Sequence, residues 1–155
     1  MSDPAGFQIT RWSTADRLGD ILAVVQAAFA NLDPPSGALR ETPADVGQRQ
    51  RDGFILVAFA GADMIGSLYA ARVDDALYLT RLAVVPALQR RGVGRALMQA
   101  AGAEARRAGA KRLLLRVRVN LPGNLAYFQA IGFVRIAKGQ DPGRPPYDVL
   151  ERPLI

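Results

Sequence analysis

The sequence predicts an α+β domain built around a mixed sheet, and three observations carry that prediction. Three strand-like segments follow one another between residues 54 and 85, separated by turns of two or three residues, which is typical of an antiparallel meander. An amphipathic helix pattern begins at Val93 and ends near Gly109, and a strand pattern follows from Leu113 to Val119. A strand, a helix and a strand in that order predict one parallel pair joined by a crossover.

The N-terminal third of the chain predicts one strand and two helices. Residues 7–11 alternate as a short strand. Ser13 or Thr14 offers an N-cap for a helix with apolar residues at three- and four-residue spacing, which ends before a proline-rich loop. Thr42 as a cap and Pro43 at the first helical position then predict a short second helix.

The later elements follow from the same patterns, because glycine, proline and aspartate clusters separate the apolar segments. No repeat or linker interrupts them, so residues 1–155 are expected to form a single domain. In chain order the predicted elements are strands 54–60, 64–73 and 76–85, helix 93–109, strand 113–119, helix 124–131, and strands 133–138 and 147–154.

The amino-acid composition excludes several classes of enzyme. The 155 residues are half apolar and contain neither cysteine nor histidine, so thiolate nucleophiles, Cys-based metal sites and the commonest general base are absent. Ser-His-Asp hydrolases, zinc hydrolases and thiol proteases are thereby excluded, and no metal is expected. The first residues lack the basic and apolar regions of a secretory signal, and the longest apolar run, Phe54 to Ala60, is too short to span a membrane. We therefore expect a cytoplasmic protein without a membrane partner.

The net positive charge of the chain indicates either an anionic partner or simply a basic, solvent-exposed surface. Lysine and arginine outnumber aspartate and glutamate by 20 to 14, which gives a net charge of +6. Nearly all of the cations are arginines, whose forked guanidinium suits phosphate. Nucleic acid is not the expected partner, because no strand alternates aromatic and basic residues and no helix-turn-helix spacing is present.

The most informative stretch is the junction between predicted strand 76–85 and predicted helix 93–109. It reads Gln89-Arg90-Arg91-Gly92-Val93-Gly94-Arg95. Glycines let backbone amides approach a ligand, and a helix N-terminus presents unpaired N–H groups with a partial positive charge. These features predict a cradle for a pyrophosphate; the alternative is a glycine-permitted turn on a solvated basic surface. Leu97 at the third glycine position excludes a dinucleotide fingerprint, and the lack of Gly-Lys-Ser/Thr excludes a P-loop.

This junction, Gln89-x-x-Gly92-x-Gly94, resembles the signature of the GNAT acyltransferase superfamily. Residues 82–86 resemble the strand end that precedes the signature in that family, and residues 124–133 resemble a later helix with its Gly-Phe ending. The resemblance is strongest from 77 to 133. It implies a GNAT-like fold, with a mixed, mainly antiparallel central sheet of about six to seven strands flanked by about four helices.

The resemblance also implies a function, the direct transfer of an acetyl group from acetyl-CoA to a primary amine in a ternary complex. It implies that the pyrophosphate binds the N–H groups of the junction and that pantetheine lies along a strand end in a cleft where two central strands splay apart. The implied oxyanion donor is the backbone amide of Val84. The implied cofactor-binding residues are Leu82, Ala83, Val84, Gln89, Arg90, Arg91, Gly92, Val93, Gly94, Arg95, Asn124 and Phe128.

One position departs from the family pattern. Many members place a tyrosine that protonates the departing thiolate four residues before the glycine that ends this helix, but Phe128 stands there and the tyrosine is Tyr127. One residue is about 100° of rotation on a helix. Either Tyr127 reaches the cleft through a local irregularity, or it packs in the core and another acid or water protonates the sulfur. Phe128 is equally consistent with plain core packing.

The general base has no unique candidate in the sequence. Without histidine it must be a carboxylate, a tyrosine or a chain of water molecules. The candidates on predicted elements near the junction are Tyr78, Thr80, Glu41, Asp45 and Tyr147.

The acceptor, a small-molecule or peptide amine, has no recognisable motif. The acids Asp33, Glu41 and Asp45 would suit a cationic amine, whereas Arg116 and Arg118 would select an anionic acceptor if their strand face lines the cleft. A second hypothesis is a non-catalytic acyl-CoA-binding or regulatory module. A homodimer is a further expectation, because the final strand would otherwise expose its edge.

Overall fold

The computed structural model describes residues 6–154 and contains seven strands and four α-helices. The strands are β1 (Gln8–Arg11), β2 (Phe54–Ala60), β3 (Asp63–Val73), β4 (Ala76–Val84), β5 (Arg112–Arg118), β6 (Val134–Gly139) and β7 (Tyr147–Pro153). The helices are α1 (Leu18–Ala28), α2 (Pro43–Asp52), α3 (Val93–Arg107) and α4 (Pro122–Ala130), with short 3-10 turns at Gly37–Arg40 and Pro86–Leu88.

All seven strands form one sheet in the order β1-β2-β3-β4-β5-β7-β6. Only the β4–β5 pair is parallel; the other neighbours are antiparallel. The predicted meander, crossover and mixed α+β class are therefore confirmed. The parallel pair is central because the α3 crossover returns the chain beside β4.

Helices cover both faces of the sheet, because strand side chains alternate between the two faces. On one face, Leu97 and Ala101 of α3 are fully buried against Leu77 of β4 and Leu113 of β5. On the other face, α1 and α2 bury a second apolar cluster, which includes Ile21, Val25, Val46, Ile55 and Val57. The central strands are thus covered on both sides, which explains their nearly continuous apolar composition.

The start of α1 corrects the predicted cap. The helix begins at Leu18, and its N-cap is Arg17, with φ 57° and no side-chain cap bond. The segment with Ser13 and Thr14 is held outside the helix by a tertiary contact, because the Gln50 amide of α2 donates to the carbonyls of Trp12 at 2.7 Å and Thr14 at 2.8 Å. The predicted cap of α2 is confirmed, since Thr42 and Asp45 form a capping box.

The place of the final strand also differs from expectation. β7 lies inside the sheet, paired with β5 from Arg118↔Tyr147 to Arg112↔Pro153 and with β6 on its other side. The edge strands are β1 and β6. The expectation of an exposed edge on the final strand is therefore wrong, because the β6–β7 hairpin folds back and inserts its second strand beside β5.

None of the helices within residues 6–154 is both long enough and apolar enough to cross a membrane. Residues 1–5, on which the expectation about a secretory signal mainly rests, lie outside the described part of the chain.

Candidate active site

The two parallel central strands separate to form a gap. β4 and β5 pair only at their beginnings, from Ala76↔Arg112 to Tyr78↔Leu114. The register between β3 and β4 shifts after Thr80, where Arg81 adopts a left-handed conformation with φ 53°. Such a bulge bends a strand and breaks its pairing. The gap therefore opens toward the carboxyl ends of both strands, as the splayed cleft was expected to do.

The backbone of Val84 faces this gap. The N–H of Val85 donates to the Ile65 carbonyl of β3 at 2.9 Å, and successive N–H groups of a strand point to opposite edges. The Val84 N–H therefore points away from β3, toward the gap. An amide in that position can stabilise negative charge that develops on a carbonyl oxygen in the gap.

The N-terminus of α3 lies at the open end of the gap and has unpartnered N–H groups. Gly92 is the N-cap, with φ 89°, and no side chain caps the helix among the described residues. The N–H groups of Val93, Gly94 and Arg95 precede the first i to i−4 bond of α3, which Ala96 donates to Gly92 at 3.0 Å. A glycine is required at 92 because other residues rarely adopt a φ of this sign. This turn is the predicted anion cradle.

The cradle has room for a bulky anion. A Cβ at Gly92 would meet no atom within 4 Å, and a Cβ at Gly94 would meet only Val84 Cγ2 at 3.9 Å. The first turn of α3 contains no acidic residue, so the partial positive charge of the helix end is not neutralised there. These features fit the pyrophosphate of a CoA molecule.

The side chains around the cradle divide into two groups. The Gln89 amide donates to the Val84 carbonyl at 3.0 Å, so it ties the turn to the end of β4. Arg90, Arg91 and Arg95 are exposed. Their side chains extend into solvent around the N–H groups, where they add positive charge.

Gly66 is a residue of this region that the sequence analysis did not single out. It pairs with Val84 across β3 and β4. A Cβ there would approach Val93 Cγ1 at 3.0 Å and the Ala83 carbonyl oxygen at 3.1 Å. Gly66 therefore lets the first turn of α3 pack closely on the sheet, and a glycine inside a strand pattern is the sequence signal for such an approach.

The aromatic residues of α4 face different ways. Phe128 is half-buried and packs edge-to-face on Phe133, with ring centroids 5.6 Å apart. Tyr127 is 39% exposed, so the alternative that it packs in the core is wrong. Phe128 occupies the inward-facing position because the two residues differ by one helical step. Asn124 is exposed near the start of α4.

The other face of the gap is lined by side chains from β4, β5 and β7. Leu79 and Leu115 face α3, so Tyr78, Thr80, Arg116 and Arg118 project to the opposite face, where α1 and α2 pack. The Arg116 guanidinium lies 4.4 Å from the Tyr147 ring centroid and 5.9 Å from that of Tyr78. Arg116 of β5 therefore reaches Tyr78 of β4 close to the point where β4 and β5 separate.

Two of the predicted base candidates, Tyr78 and Glu41, are not available to accept a proton. Burial raises the pKa of Tyr78, so its hydroxyl stays protonated at neutral pH and cannot accept a proton. Glu41 pairs with Arg81 at 3.0 Å and with Arg49 at 3.9 Å.

The remaining candidates on this face are also engaged or lack a basic group. Asp45 serves the capping box of α2, accepting from the Thr42 N–H at 2.8 Å. Thr80 accepts a hydrogen bond from Arg49 at 3.1 Å, and Tyr147 stacks against Arg116. Water is left as the simplest proton acceptor on this face.

The loop between α1 and α2 is held against β5. Arg118 donates to the Pro34 carbonyl at 2.6 Å, and the Asn120 amide donates to the Asp33 carbonyl at 3.0 Å. Arg144 reaches the Pro35 carbonyl at 3.5 Å. This loop therefore borders the face of the gap on which Arg116 and Arg118 lie, and it contributes backbone carbonyls to those contacts.

Comparisons with known proteins agree with this fold. The model of the Acetyltransferase (GNAT) family matches residues 22–133, which is most of the chain. A search of curated proteins found no match.

Solved structures with the same fold include several acetyltransferases. The ribosomal-protein-S18-alanine N-acetyltransferase from Escherichia coli is 23% identical, with a TM-score of 0.78 over 96% of this chain and 94% of that one. Ard1 from Thermoplasma volcanium is 20% identical, with a TM-score of 0.80 over 97% and 99%. The PaiA N-acetyltransferase from Thermoplasma acidophilum, solved in complex with coenzyme A, is 17% identical, with a TM-score of 0.74 over 95% and 98%.

Proposed function

Because this chain belongs to the acetyltransferase (GNAT) family, we propose that it moves an acetyl group from acetyl-CoA to a primary amine by direct transfer in a ternary complex. The observation that carries the donor half of this proposal is the uncapped N-terminus of α3 at the open end of the β4–β5 gap. Three N–H groups and three exposed arginines lie within this one stretch of chain, and helix N-termini with free N–H groups bind phosphate groups.

Each part of the donor site has a proposed role. The N–H groups of Val93, Gly94 and Arg95 bind the pyrophosphate, and Gln89 holds the turn in place through the Val84 carbonyl. The backbone of Leu82, Ala83 and Val84 is the proposed edge for pantetheine, with Asn124 and Phe128 on the α4 side. Bound acetyl-CoA supplies an activated thioester carbonyl.

Transfer needs one bond to form and one to break. The amine nitrogen bonds to the carbonyl carbon, the carbon–sulfur bond breaks, the nitrogen loses a proton and the departing thiolate gains one. The Val84 N–H is the proposed donor to the carbonyl oxygen as it gains negative charge. Most of the rate enhancement would come from holding the two reactants in line within the gap.

The proton transfers are proposed to involve water. On the acceptor side of the gap, burial raises the pKa of Tyr78 and Glu41 is paired with arginines, so neither supports a role as base. Tyr127 is the acid that the sequence suggested for the donor side, but the residue is 39% exposed. Water is therefore the proposed proton source for the thiolate, with Tyr127 as the alternative.

The first test is the binding of acetyl-CoA to the folded protein. Acetyl-CoA at about 100 times its dissociation constant should stabilise the protein by roughly 2.7 kcal/mol, visible as a rise in melting temperature. Gly94→Glu should abolish the rise, because a carboxylate would stand among the N–H groups while its Cβ makes only ordinary contact with Val84. Gln99→Glu, the same added charge on the exposed side of α3, is the matched control and should leave the rise intact.

The second test separates an enzyme from a binding module. Release of CoA thiol with a panel of amines should depend on the amine and should disappear in Gly94→Glu. No stabilisation at millimolar acetyl-CoA would overturn the donor site. Stabilisation without thiol release for any amine would favour the non-catalytic module.

A further inference from the structure

Arginines are concentrated on the face of the gap opposite α3. Five arginines lie on or beside it, and we refer to them as the acceptor-side arginines: Arg49 from α2, Arg81 from β4, Arg116 and Arg118 from β5, and Arg144 from the β6–β7 loop. They come from four separate parts of the chain, and only the fold brings them together.

Carboxylates neutralise this cluster only in part. Glu41 pairs with both Arg81 and Arg49, and Asp141 contacts Arg116 at 3.6 Å. Neither Arg118 nor Arg144 has a carboxylate partner within residues 6–154.

Arg118 shows the consequence of this imbalance. Burial, followed by the nearby positive charges of Arg144 and Arg81, lowers its pKa. Its guanidinium donates to the neutral carbonyl of Pro34, which does not balance its charge. Arg118 and Arg144 are therefore the two members of the cluster that an anionic group on a ligand could pair with.

A buried donor on this face also lacks a partner. Tyr69 of β3 pairs with Thr80 of β4 and is 2% exposed, yet its hydroxyl makes no hydrogen bond among the described residues. Tyr69 lines a small cavity of about 40 Å³ together with Arg49, Asp52, Tyr78 and Thr80. A cavity of this size holds one acceptor oxygen beside the hydroxyl, from a water molecule or from a ligand.

Resting on the proposed acetyl transfer, we propose that the acceptor is a primary amine that also carries a carboxylate. Arg116 and Arg118 attract the carboxylate to this face, and the amine of the same molecule lies toward the gap. Two of the three acids that would attract a cationic amine are engaged elsewhere, because Glu41 is paired with two arginines and Asp45 caps α2. The third, Asp33, is exposed in the loop that Arg118 and Asn120 hold by its backbone carbonyls. A free amino acid and the N-terminus of an acidic peptide present the same chemistry.

The experiment compares amines that differ in charge. With acetyl-CoA saturating, kcat/KM is measured for glutamate, for its diamide, for a dipeptide with aspartate in second place, and for a polyamine. Carboxylate-bearing amines should exceed the diamide and the polyamine by at least about tenfold, since a charge-assisted contact contributes about 1.5–3 kcal/mol. Glutamate and the acidic dipeptide form the two arms that distinguish a free amino acid from a peptide terminus.

Arg116 is the variant of choice because it is half-exposed and its one ion pair within residues 6–154 is long. Arg116→Gln should raise KM for the carboxylate-bearing amines by about tenfold or more and leave KM for acetyl-CoA unchanged. Arg116→Lys should recover part of the loss. Arg106→Gln on the exposed side of α3 removes the same charge from the far side of the sheet and should change neither KM.

Two results would overturn the inference while the transfer activity stands. One is a polyamine or the diamide as the better substrate. The other is an equal effect of Arg116→Gln on charged and neutral amines. If acetyl-CoA fails to stabilise the wild-type protein at all, the proposed transfer itself fails, and that outcome is separate from either result above.

Discussion

The two sides of the β4–β5 gap bind charge by different means. On the α3 side, positive potential comes from backbone N–H groups at one helix end, within a single stretch of seven residues. On the α2 side, it comes from arginine side chains that four parts of the chain contribute. A backbone site depends on conformation and tolerates many side chains, whereas a side-chain site depends on the identity and placement of each residue. The donor site should therefore respond to changes in packing, and the acceptor site to single substitutions.

The largest effect is expected from a change in the packing beneath the cradle. Gly66→Val would press on Val93 and on the Ala83 carbonyl, so we expect a loss of about 1–3 kcal/mol in unfolding free energy together with a loss of stabilisation by acetyl-CoA. Urea unfolding with and without the ligand measures both.

Gly19→Ala is the control for Gly66→Val, because a Cβ there meets nothing within 4 Å and alanine favours the α1 helix by about 1 kcal/mol. Normal ligand stabilisation in Gly66→Val would show that the cradle does not depend on this close approach.

The next effect concerns the buried phenol on the acceptor side. Burial and the charge of Glu41 raise the pKa of Tyr69 to about 12. Above pH 10 the unfolded chain loses this proton while the folded chain keeps it, so unfolding becomes easier by about 1.4 kcal/mol per pH unit until about pH 12. Below pH 10 both states hold the proton and the group adds no pH dependence.

Tyr69→Phe should remove this alkaline loss. At neutral pH it should leave stability equal or higher by about 1 kcal/mol, because the lost hydroxyl has no partner. Denaturant unfolding between pH 7 and pH 11.5 measures both effects. An unchanged alkaline slope would mean that Tyr69 does not titrate as its burial requires, and a strongly destabilised variant would mean that its hydroxyl has a partner.

A smaller effect is expected from the exposed arginines of the cradle. The double variant Arg90→Gln with Arg91→Gln should weaken acetyl-CoA binding by less than about tenfold and reduce its salt dependence, because exposed side-chain charges contribute little beside the backbone donors. Calorimetric titration at two salt concentrations measures this. A loss of affinity for acetyl-CoA of roughly a hundredfold would show that the arginine side chains, and not the backbone N–H groups, contribute most of the binding energy. The contrast between the two sides of the gap would then be wrong.

The smallest effect is expected at Tyr127. Because its ring is 39% exposed and Phe128 faces inward, Tyr127→Phe should change kcat by about twofold at most, far below the roughly hundredfold or greater contribution of a general acid. A large fall in kcat with an altered alkaline limb of the pH–rate profile would instead identify Tyr127 as the proton donor to the thiolate.

Prediction from sequence succeeded where structure is determined locally. Two such features are the capped first turn of α2 and the glycine turn at the start of α3. Both could be predicted because the residues that define each one are neighbours in the chain. It failed at the start of α1, where Gln50 holds the preceding segment from 36 residues away, and at β7, whose place beside β5 depends on how a hairpin folds back. It also passed over Gly66, whose role appears only against Val93 and Ala83.

By itself the sequence determined the fold class, the exclusion of histidine and cysteine chemistry, and the position of the glycine turn at the start of α3, because each of these depends on composition or on residues a few positions apart. Only the tertiary structure decided that Tyr127 turns outward, that Glu41 is already paired with Arg81, and that Arg116 and Arg118 face the gap together with Arg49 and Arg144. The acceptor face is built from side chains that meet across long separations in the chain, and their charge balance exists only once the sheet and its loops have come together.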